Sequence, residues 1–163
     1  MIVTRILEKM IAASGGNVHD IDHLLRVWSY AKLIGEAEGL DDQTQTLLEI
    51  AAITHDIACP YCREVYGAAT GKDQEREGAR LAAEFLQGFG LTAAQIDRVC
   101  FLIAHHHSPA DISTLDLQIL IEADYLANAT ENSYSEANVC GFLSKICKTA
   151  AGQRLIRSIL LKA

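Results

Sequence analysis

Four ionisable residues interrupt the apolar faces of three segments with helical periodicity. Apolar residues spaced three or four apart share a face with His23, with the adjacent pair His55 and Asp56, and with Asp124. Burying such groups is costly unless they are paired or bind a metal ion. Two imidazoles and two carboxylates form the mixed nitrogen and oxygen donor set that suits a divalent transition ion. Each residue alone is more typical of a hydrogen-bonded core histidine or an acidic cap, but the ordered set predicts a metal site.

A fourth segment carries three consecutive histidines. Its apolar stripe passes through Val99 and Ile103 and leads to His106, with His105 and His107 on either side. We therefore expect His106 to face inward near a substrate, whereas His105 or His107 faces solvent.

A second His-Asp pair shows that the dipeptide alone is not specific. His19 and Asp20 follow the turn residues Gly15 and Gly16, so we expect Asp20 to be the N-cap of the helix that carries His23.

The segments that must position these residues are almost all helical. Apolar residues recur at three- and four-residue spacing in every long segment, and no short run alternates as a half-buried strand would. The sequence predicts an all-α bundle of about seven to eight helices, which brings distant residues together in its core. The predicted helices span residues 2–13, 20–38, 42–56, 73–89, 92–106, 114–130, 135–147 and 149–161. Thr92 and Ser135 are predicted N-caps, and residues 58–72 a functional loop.

Length and charge narrow the class of partner. The chain of 163 residues predicts a single domain over 1–163, with a core at about 18–128 and terminal helices packed on it. Half of the residues are apolar and 21% are charged, which is typical of a packed globule. The net charge of −7 argues against binding to duplex nucleic acid or to an anionic membrane surface. We expect a monomer or a homodimer.

The N-terminal apolar run contains Arg5, Glu8 and Lys9 and lacks the uninterrupted core of a signal peptide. Five cysteines suit reduced thiols in a reducing compartment. We therefore expect a cytoplasmic protein.

Cys59 and Cys62 enclose Pro60 and Tyr61 in the spacing of a glutaredoxin-type redox pair. Such pairs follow a strand and open a helix, whereas this one follows His55 in an all-α pattern. Two ordinary loop cysteines are the preferred interpretation, with a reversible disulfide beside the site as the alternative.

Four segments share residue types and order with one known family: DIDHLLRV at 20–27, AAITHDI at 51–57, IAHH at 103–106 and EADYL at 122–126. Over residues 18–128 the sequence resembles the HD-domain metal-dependent phosphohydrolase superfamily. Residues 66–78, 98–108 and 118–128 are more narrowly similar to small bacterial stand-alone HD proteins that are predicted phosphohydrolases. The resemblance implies a bundle of mostly antiparallel helices that holds one or two divalent ions and cleaves phosphomonoesters or phosphodiesters, often nucleotides.

By this resemblance the primary metal ligands are His23, His55, Asp56 and Asp124. Members with two metals often place a histidine four residues before the glycine of the fourth helix. In this chain that glycine is Gly78, and the residue four positions before it is Gln74. We therefore favour one ion, with His105 and His106, or His106 and His107, as the pairs that would supply part of a second site. Mn, Fe, Co, Ni, Zn and Mg are all chemically admissible.

The predicted function is a metal-dependent phosphohydrolase that cleaves a small phosphorylated substrate, with a nucleotide favoured, through a metal-activated water. Asp56 would orient the attacking water, and His106 would protonate the leaving group or steady the phosphate. Glu75 is a further candidate catalytic residue. It lies seven residues before Ala82 and eleven before Leu86, so we expect it to face inward with them. Arg26 and Lys72 are candidate phosphate contacts. The alternatives are a catalytically idle HD module that binds a nucleotide or a protein partner for signalling, and a purely structural bundle.

Overall fold

The computed structural model describes residues 1–161, apart from the side chain of Asp111. This part of the chain contains nine α-helices, one 3₁₀ turn at Pro109–Asp111 and no strand, which confirms the predicted all-α class. The helices are α1 Ile2–Ala13, α2 Val18–Ala37, α3 Asp42–Thr54, α4 Cys59–Tyr66, α5 Gly71–Phe85, α6 Ala93–His105, α7 Leu115–Glu131, α8 Glu136–Lys145 and α9 Ala150–Leu160.

Side-chain caps define several helix starts. Thr92 forms a reciprocal capping box with Gln95 at the start of α6, and the Ser135 side chain accepts the amide of the third residue of α8. Both predicted N-caps are confirmed. The prediction for Asp20 was wrong, because α2 begins earlier and the Asn17 side chain accepts the Asp20 amide at 3.3 Å. Asp20 instead lies in the first turn, where a negative charge is favourable.

The predicted loop at residues 58–72 was wrong over most of its length, because α4 occupies Cys59–Tyr66 and α5 begins at Gly71. Pro60 lies in the first turn, where its missing N–H costs no helical hydrogen bond. Gly67, with a φ of 76°, ends the helix in the left-handed conformation that glycine adopts readily. The buried Cys62 anchors α4 on the core.

Two helices lie at the centre of the bundle. In α3, every residue from Leu47 to Thr54 is buried, and in α7 every residue from Asp116 to Asp124 is buried. A helix buried on all sides is enclosed by its neighbours, and α2 packs closely against both. Ile6 of α1 and Ile156 of α9 belong to the same core. The inner end of α3 and the middle of α7 therefore meet inside the bundle.

A buried carboxylate joins the C-terminal helices to α7. Glu122 is fully buried and accepts the amide hydrogens of Lys148 at 2.7 Å and Thr149 at 3.0 Å, together with the Thr149 hydroxyl. Gln118 donates to the same carboxylate at 2.7 Å. Because these amides precede or open α9, the negative charge also meets the positive end of that helix.

None of the helices within residues 1–161 combines the length and the apolar character that a membrane span requires.

Candidate metal centre

The four predicted ligands meet at one point in the bundle. His23 comes from α2, His55 and Asp56 follow the end of α3, and Asp124 lies on α7. The Nε2 atom of His23 lies 3.2 Å from both His55 Nε2 and Asp124 Oδ1, and 3.5 Å from Asp56 Oδ2. His55 Nε2 lies 3.5 Å from each of the two carboxylates. Four donor atoms from three helices therefore converge as a metal site requires.

His106, at the C-terminal end of α6, completes the cluster. Its Nε2 atom lies 3.9 Å from Asp56 Oδ1, and its ring centre lies 5.2 Å from that of His55. This nitrogen is buried and has no hydrogen-bond partner among the described residues. An unpaired buried polar atom is costly, so its position is best explained by a ligand that the protein binds. The inward orientation predicted for His106 agrees with this placement.

The Nδ1 atoms of the three imidazoles are all held away from the centre. In His55 and His106, Nδ1 donates to the carbonyl group three residues earlier, at 2.8 Å and 2.7 Å. His23 Nδ1 donates to the Glu131 carboxylate at 2.9 Å. Such outer partners fix the ring and leave Nε2 free to bind, as in histidine ligands of metal proteins. The donor set and its outer contacts therefore fit a divalent ion.

The electrostatic environment shifts the pKa values of His55 and His106 in opposite directions. Burial alone would lower the pKa of His55, but Asp56 and Asp124 outweigh it and raise that pKa to about 9. For His106, burial and the nearby His107 and His55 lower the pKa to about 4. Burial opposes ionisation of Asp124, yet hydrogen bonds from two imidazoles hold its pKa well below the ordinary value. Without a metal ion, the positive charge of protonated His55 therefore lies close to the ionised carboxylates of Asp56 and Asp124.

Two cavities open on opposite parts of the cluster. The larger has a volume of about 660 Å³, within the range of small-molecule sites, and touches His106 and Asp124. The smaller has a volume of about 240 Å³ and touches His23 and Asp56. Asn128 borders both and donates to Asp124 Oδ1 at 2.8 Å.

The carboxylates differ in their access to solvent. The Asp56 side chain is 31% exposed, whereas that of Asp124 is 12% exposed. Asp56 is therefore the carboxylate of the cluster that faces water in the smaller cavity.

The structure distinguishes the histidines next to His106. His105 turns away from the cluster, because its Nδ1 donates to the Phe101 carbonyl at 2.7 Å and its ring stacks on Phe101. His107 is exposed, as expected for one of the two, but it also lines the larger cavity. Donor atoms of His106, His107 and Asp124 lie within 4.8 Å of one another. The pair that can supply part of a second site is therefore His106 and His107.

Gln74 and Glu75, at the start of α5, hold the segment after α6. Gln74 is buried, and its Oε1 lies 2.9 Å from His107 Nε2. Glu75 Oε1 accepts the His107 amide hydrogen at 3.1 Å and the Ser108 hydroxyl at 2.9 Å. Glu75 lines neither cavity and contacts the residues after His106; its catalytic role stays a prediction.

The structure does not bring the two predicted phosphate contacts to the cluster. Arg26 is exposed on α2 and its guanidinium lies 3.4 Å from Thr130 Oγ1. Lys72 is exposed in the first turn of α5. Neither residue lines the larger or the smaller cavity.

Three residues beside the cluster were missed from the sequence. Asn128 and Glu131 follow Asp124 by four and seven residues on α7, so helical spacing places all three on one face and was a usable signal. Lys145, at the end of α8, lines the larger cavity. No pattern in the sequence marks it, because its position depends on how α8 packs.

The paired cysteines do not have the features of a reactive thiol. Cys59 and Cys62 are free and buried. Burial and the neighbouring Asp56 raise the pKa of the Cys59 thiol, whereas catalytic redox pairs depress it. Their placement in the first turn of α4 resembles a redox motif in position, but the electrostatics favour the preferred interpretation of ordinary cysteines.

Comparison with known proteins places this site in a family. The crystal structure of a predicted HD superfamily hydrolase from an uncultured Thermotogales bacterium superposes with a TM-score of 0.66 at 24% identity, covering 96% of this chain and 82% of that one. That similarity shows a shared fold. No curated protein matches the sequence. The HD domain model matches residues 20–129, which carry all five residues of the cluster. The chain therefore belongs to the HD domain family.

Proposed function

We propose that this protein is a metal-dependent phosphohydrolase that acts on a small phosphorylated molecule, with nucleotides as the favoured class. The HD domain family is metal-dependent, and the likeness to a predicted HD superfamily hydrolase supports a hydrolytic role. The observation that carries the proposal is the buried His106 Nε2, unpaired beside the convergent donors of His23, His55, Asp56 and Asp124. A structural bundle has no reason to leave that atom unpaired.

The primary ion would be held by His23, His55, Asp56 and Asp124, and Mn, Fe, Co, Ni, Zn or Mg would suit these donors. A divalent ion bound there supplies charge neutralisation for the phosphoryl oxygens and lowers the pKa of a water molecule.

The protein groups around the ion divide the remaining work. Asp56 is the more exposed carboxylate of the cluster, so the oxygen that does not bind the ion would accept a hydrogen bond from the attacking water. His106 donates from Nδ1 to a carbonyl group, so its neutral ring accepts at Nε2. That orientation suits a ligand or a proton acceptor better than the leaving-group donor considered from the sequence. Asn128 holds Asp124 in place by donating to its carboxylate.

The test is a screen of the metal-supplemented protein against p-nitrophenyl phosphate, its bis ester, and nucleoside mono-, di- and triphosphates. We expect turnover of at least one class, and loss of that turnover in Asp56→Ala. Asp97→Ala is the matched control, because it removes an exposed carboxylate of α6 that lines neither cavity. Metal content is measured on the same samples. Metal retention without turnover of any phosphate ester would contradict the proposal and favour a catalytically idle binding module.

A further inference from the structure

The two cavities beside the cluster differ in charge. The smaller is lined by the carboxylates of Asp20, Asp56 and Glu131. Arg63 is the one lysine or arginine among its described lining residues, and it is already paired with Asp20. This cavity therefore repels anions. A phosphorylated substrate is better accommodated on the other side of the cluster.

The larger cavity is less negative, because its carboxylate is balanced by a lysine. Asp124 is the one carboxylate among its described lining residues, and Lys145 adds a positive charge. In residues 1–161, no carboxylate with a described side chain forms a salt bridge with Lys145. Its ammonium group is therefore available to an anionic ligand.

Lys145 lies beyond the cluster along the axis of α7. The carbonyl group of the next residue, Ile146, accepts a hydrogen bond from Gln118 Nε2 at 2.9 Å. Gln118 precedes Asp124 by six residues, which is about 9 Å along a helix. The cavity therefore has a metal-binding end at Asp124 and a cationic end at Lys145.

Aromatic rings also line the larger cavity. Tyr125 stacks on Phe142 with ring centres 3.5 Å apart and planes 4° apart. The Tyr125 hydroxyl donates to Asn138 at 2.7 Å, which holds the ring against α8. Tyr134, whose ring centre lies 5.7 Å from that of Tyr125, is 39% exposed. Tyr125 and Phe142 cover each other's stacked faces, so the exposed ring of Tyr134 is the surface on which a planar ring such as a nucleobase would stack.

We propose that the larger cavity binds a nucleotide that carries a second phosphate group, separate from the one that is hydrolysed. The reacting phosphate lies at the His106 and Asp124 end, the base lies against the Tyr134 ring, and Lys145 pairs with the second phosphate. Lys145 lies outside the residues that match the HD domain model, so this specificity belongs to the C-terminal helices of this chain. The inference rests on the proposed function for the identity of the reacting end.

The test compares adenosine 3′,5′-bisphosphate with adenosine 5′-monophosphate, which differ by one phosphate group. Binding of each to the metal-loaded protein is measured by isothermal titration calorimetry. We expect the preference for the bisphosphate over the monophosphate to fall about tenfold in Lys145→Ala, because one charge-assisted contact is lost. Lys148→Ala is the matched control: it removes an exposed lysine three residues away that does not line the cavity, and the preference should persist.

Three results would overturn this inference. Equal weakening of both ligands would place Lys145 on the reacting phosphate, and unchanged affinities for both ligands would remove Lys145 from the site. Absence of binding by both nucleotides would also contradict it. Turnover of p-nitrophenyl phosphate by the wild-type protein tests the phosphohydrolase proposal separately. If the protein turns over a phosphate ester but shows no Lys145-dependent preference, only the second-phosphate inference is wrong. If it shows that preference but turns over no phosphate ester, only the hydrolase proposal is wrong.

Discussion

The Nε2 atoms of His23 and His55 lie 3.2 Å apart inside the bundle. Each ring already uses its Nδ1 atom for an outer acceptor, so two neutral rings would turn their lone pairs toward each other. This contact is favourable only when a proton or a shared cation lies between the two nitrogens. A divalent ion bound by both rings and by Asp124 satisfies the requirement without an unpaired donor.

The first prediction concerns removal of the metal. Because an ion that binds only the folded state stabilises it, saturation at about 100 times the dissociation constant adds about 2.7 kcal/mol to the free energy of unfolding. We expect chelation to lower the melting temperature and divalent ions to restore it, as measured by calorimetry. His55→Ala should abolish the metal-dependent shift. An identical melting temperature with and without metal in the wild-type protein would contradict a metal centre.

The second prediction concerns Glu131, which holds the ring of His23 through a hydrogen bond of 2.9 Å to Nδ1. Glu131→Gln weakens that contact while leaving all the metal ligands in place. We expect metal affinity to fall about 10- to 100-fold, as is usual when an outer partner of a histidine ligand is changed. Glu64→Gln alters an exposed carboxylate of α4 and should keep the wild-type affinity. Equal affinities in competition titrations of the two variants would show that Glu131 does not position His23.

The third prediction concerns Gly152, in the first turn of α9. An added Cβ would overlap the buried Glu122 carboxylate and lie 2.6 Å from Thr149 Oγ1. We expect Gly152→Ala to lower the free energy of unfolding by about 1–3 kcal/mol, because overpacking disturbs the hydrogen bonds that join α9 to α7. Urea denaturation measures the change.

Gly141 provides the control for that substitution. It lies within α8, and an added Cβ there would meet no atom within 4 Å. Gly141→Ala should therefore stabilise the protein by about 0.5–1 kcal/mol through the reduced flexibility of the unfolded chain. Similar effects of the two substitutions would refute the packing argument.

The fourth prediction concerns thiol reactivity. Cys140 is exposed, whereas Cys59, Cys62 and Cys147 are buried, and burial raises the pKa of each of these three thiols. We expect Ellman's reagent to modify Cys140 rapidly in the native protein and the three buried thiols only after unfolding, since thiolate and access are both required.

Cys140→Ser should remove the fast phase of that reaction. Rapid modification of Cys59 in this variant would instead support the redox interpretation of the paired cysteines.

The cluster illustrates what sequence patterns can predict. His55 and Asp124 continue apolar faces of helices that are buried on every side, and a polar residue in such a place has few explanations other than chemistry. The convergence of the expected donors was accessible from spacing because each ligand depends on the face of a single helix. The order of the motifs along the chain indicated that these donors belong to one site.

Other features depend on information that local patterns lack. Pro60, between two cysteines, led to the prediction of a loop where α4 lies, although proline is tolerated in the first turn of a helix. Arg26 follows His23 by one helical turn, and Lys72 lies at the end of the predicted loop. Tertiary packing nevertheless places both outside the two cavities. Lys145 reaches its cavity only because α8 packs against α7, which involves contacts between distant segments.

Asn128 borders both cavities, and Asp124 lines the larger and Asp56 the smaller, so each carboxylate of the cluster has its own opening. A bulky anion bound in the larger cavity would leave Asp56 exposed to solvent through the smaller one. Under the proposed function, the water molecule consumed in the reaction would be replaced at Asp56 before the product leaves the larger cavity.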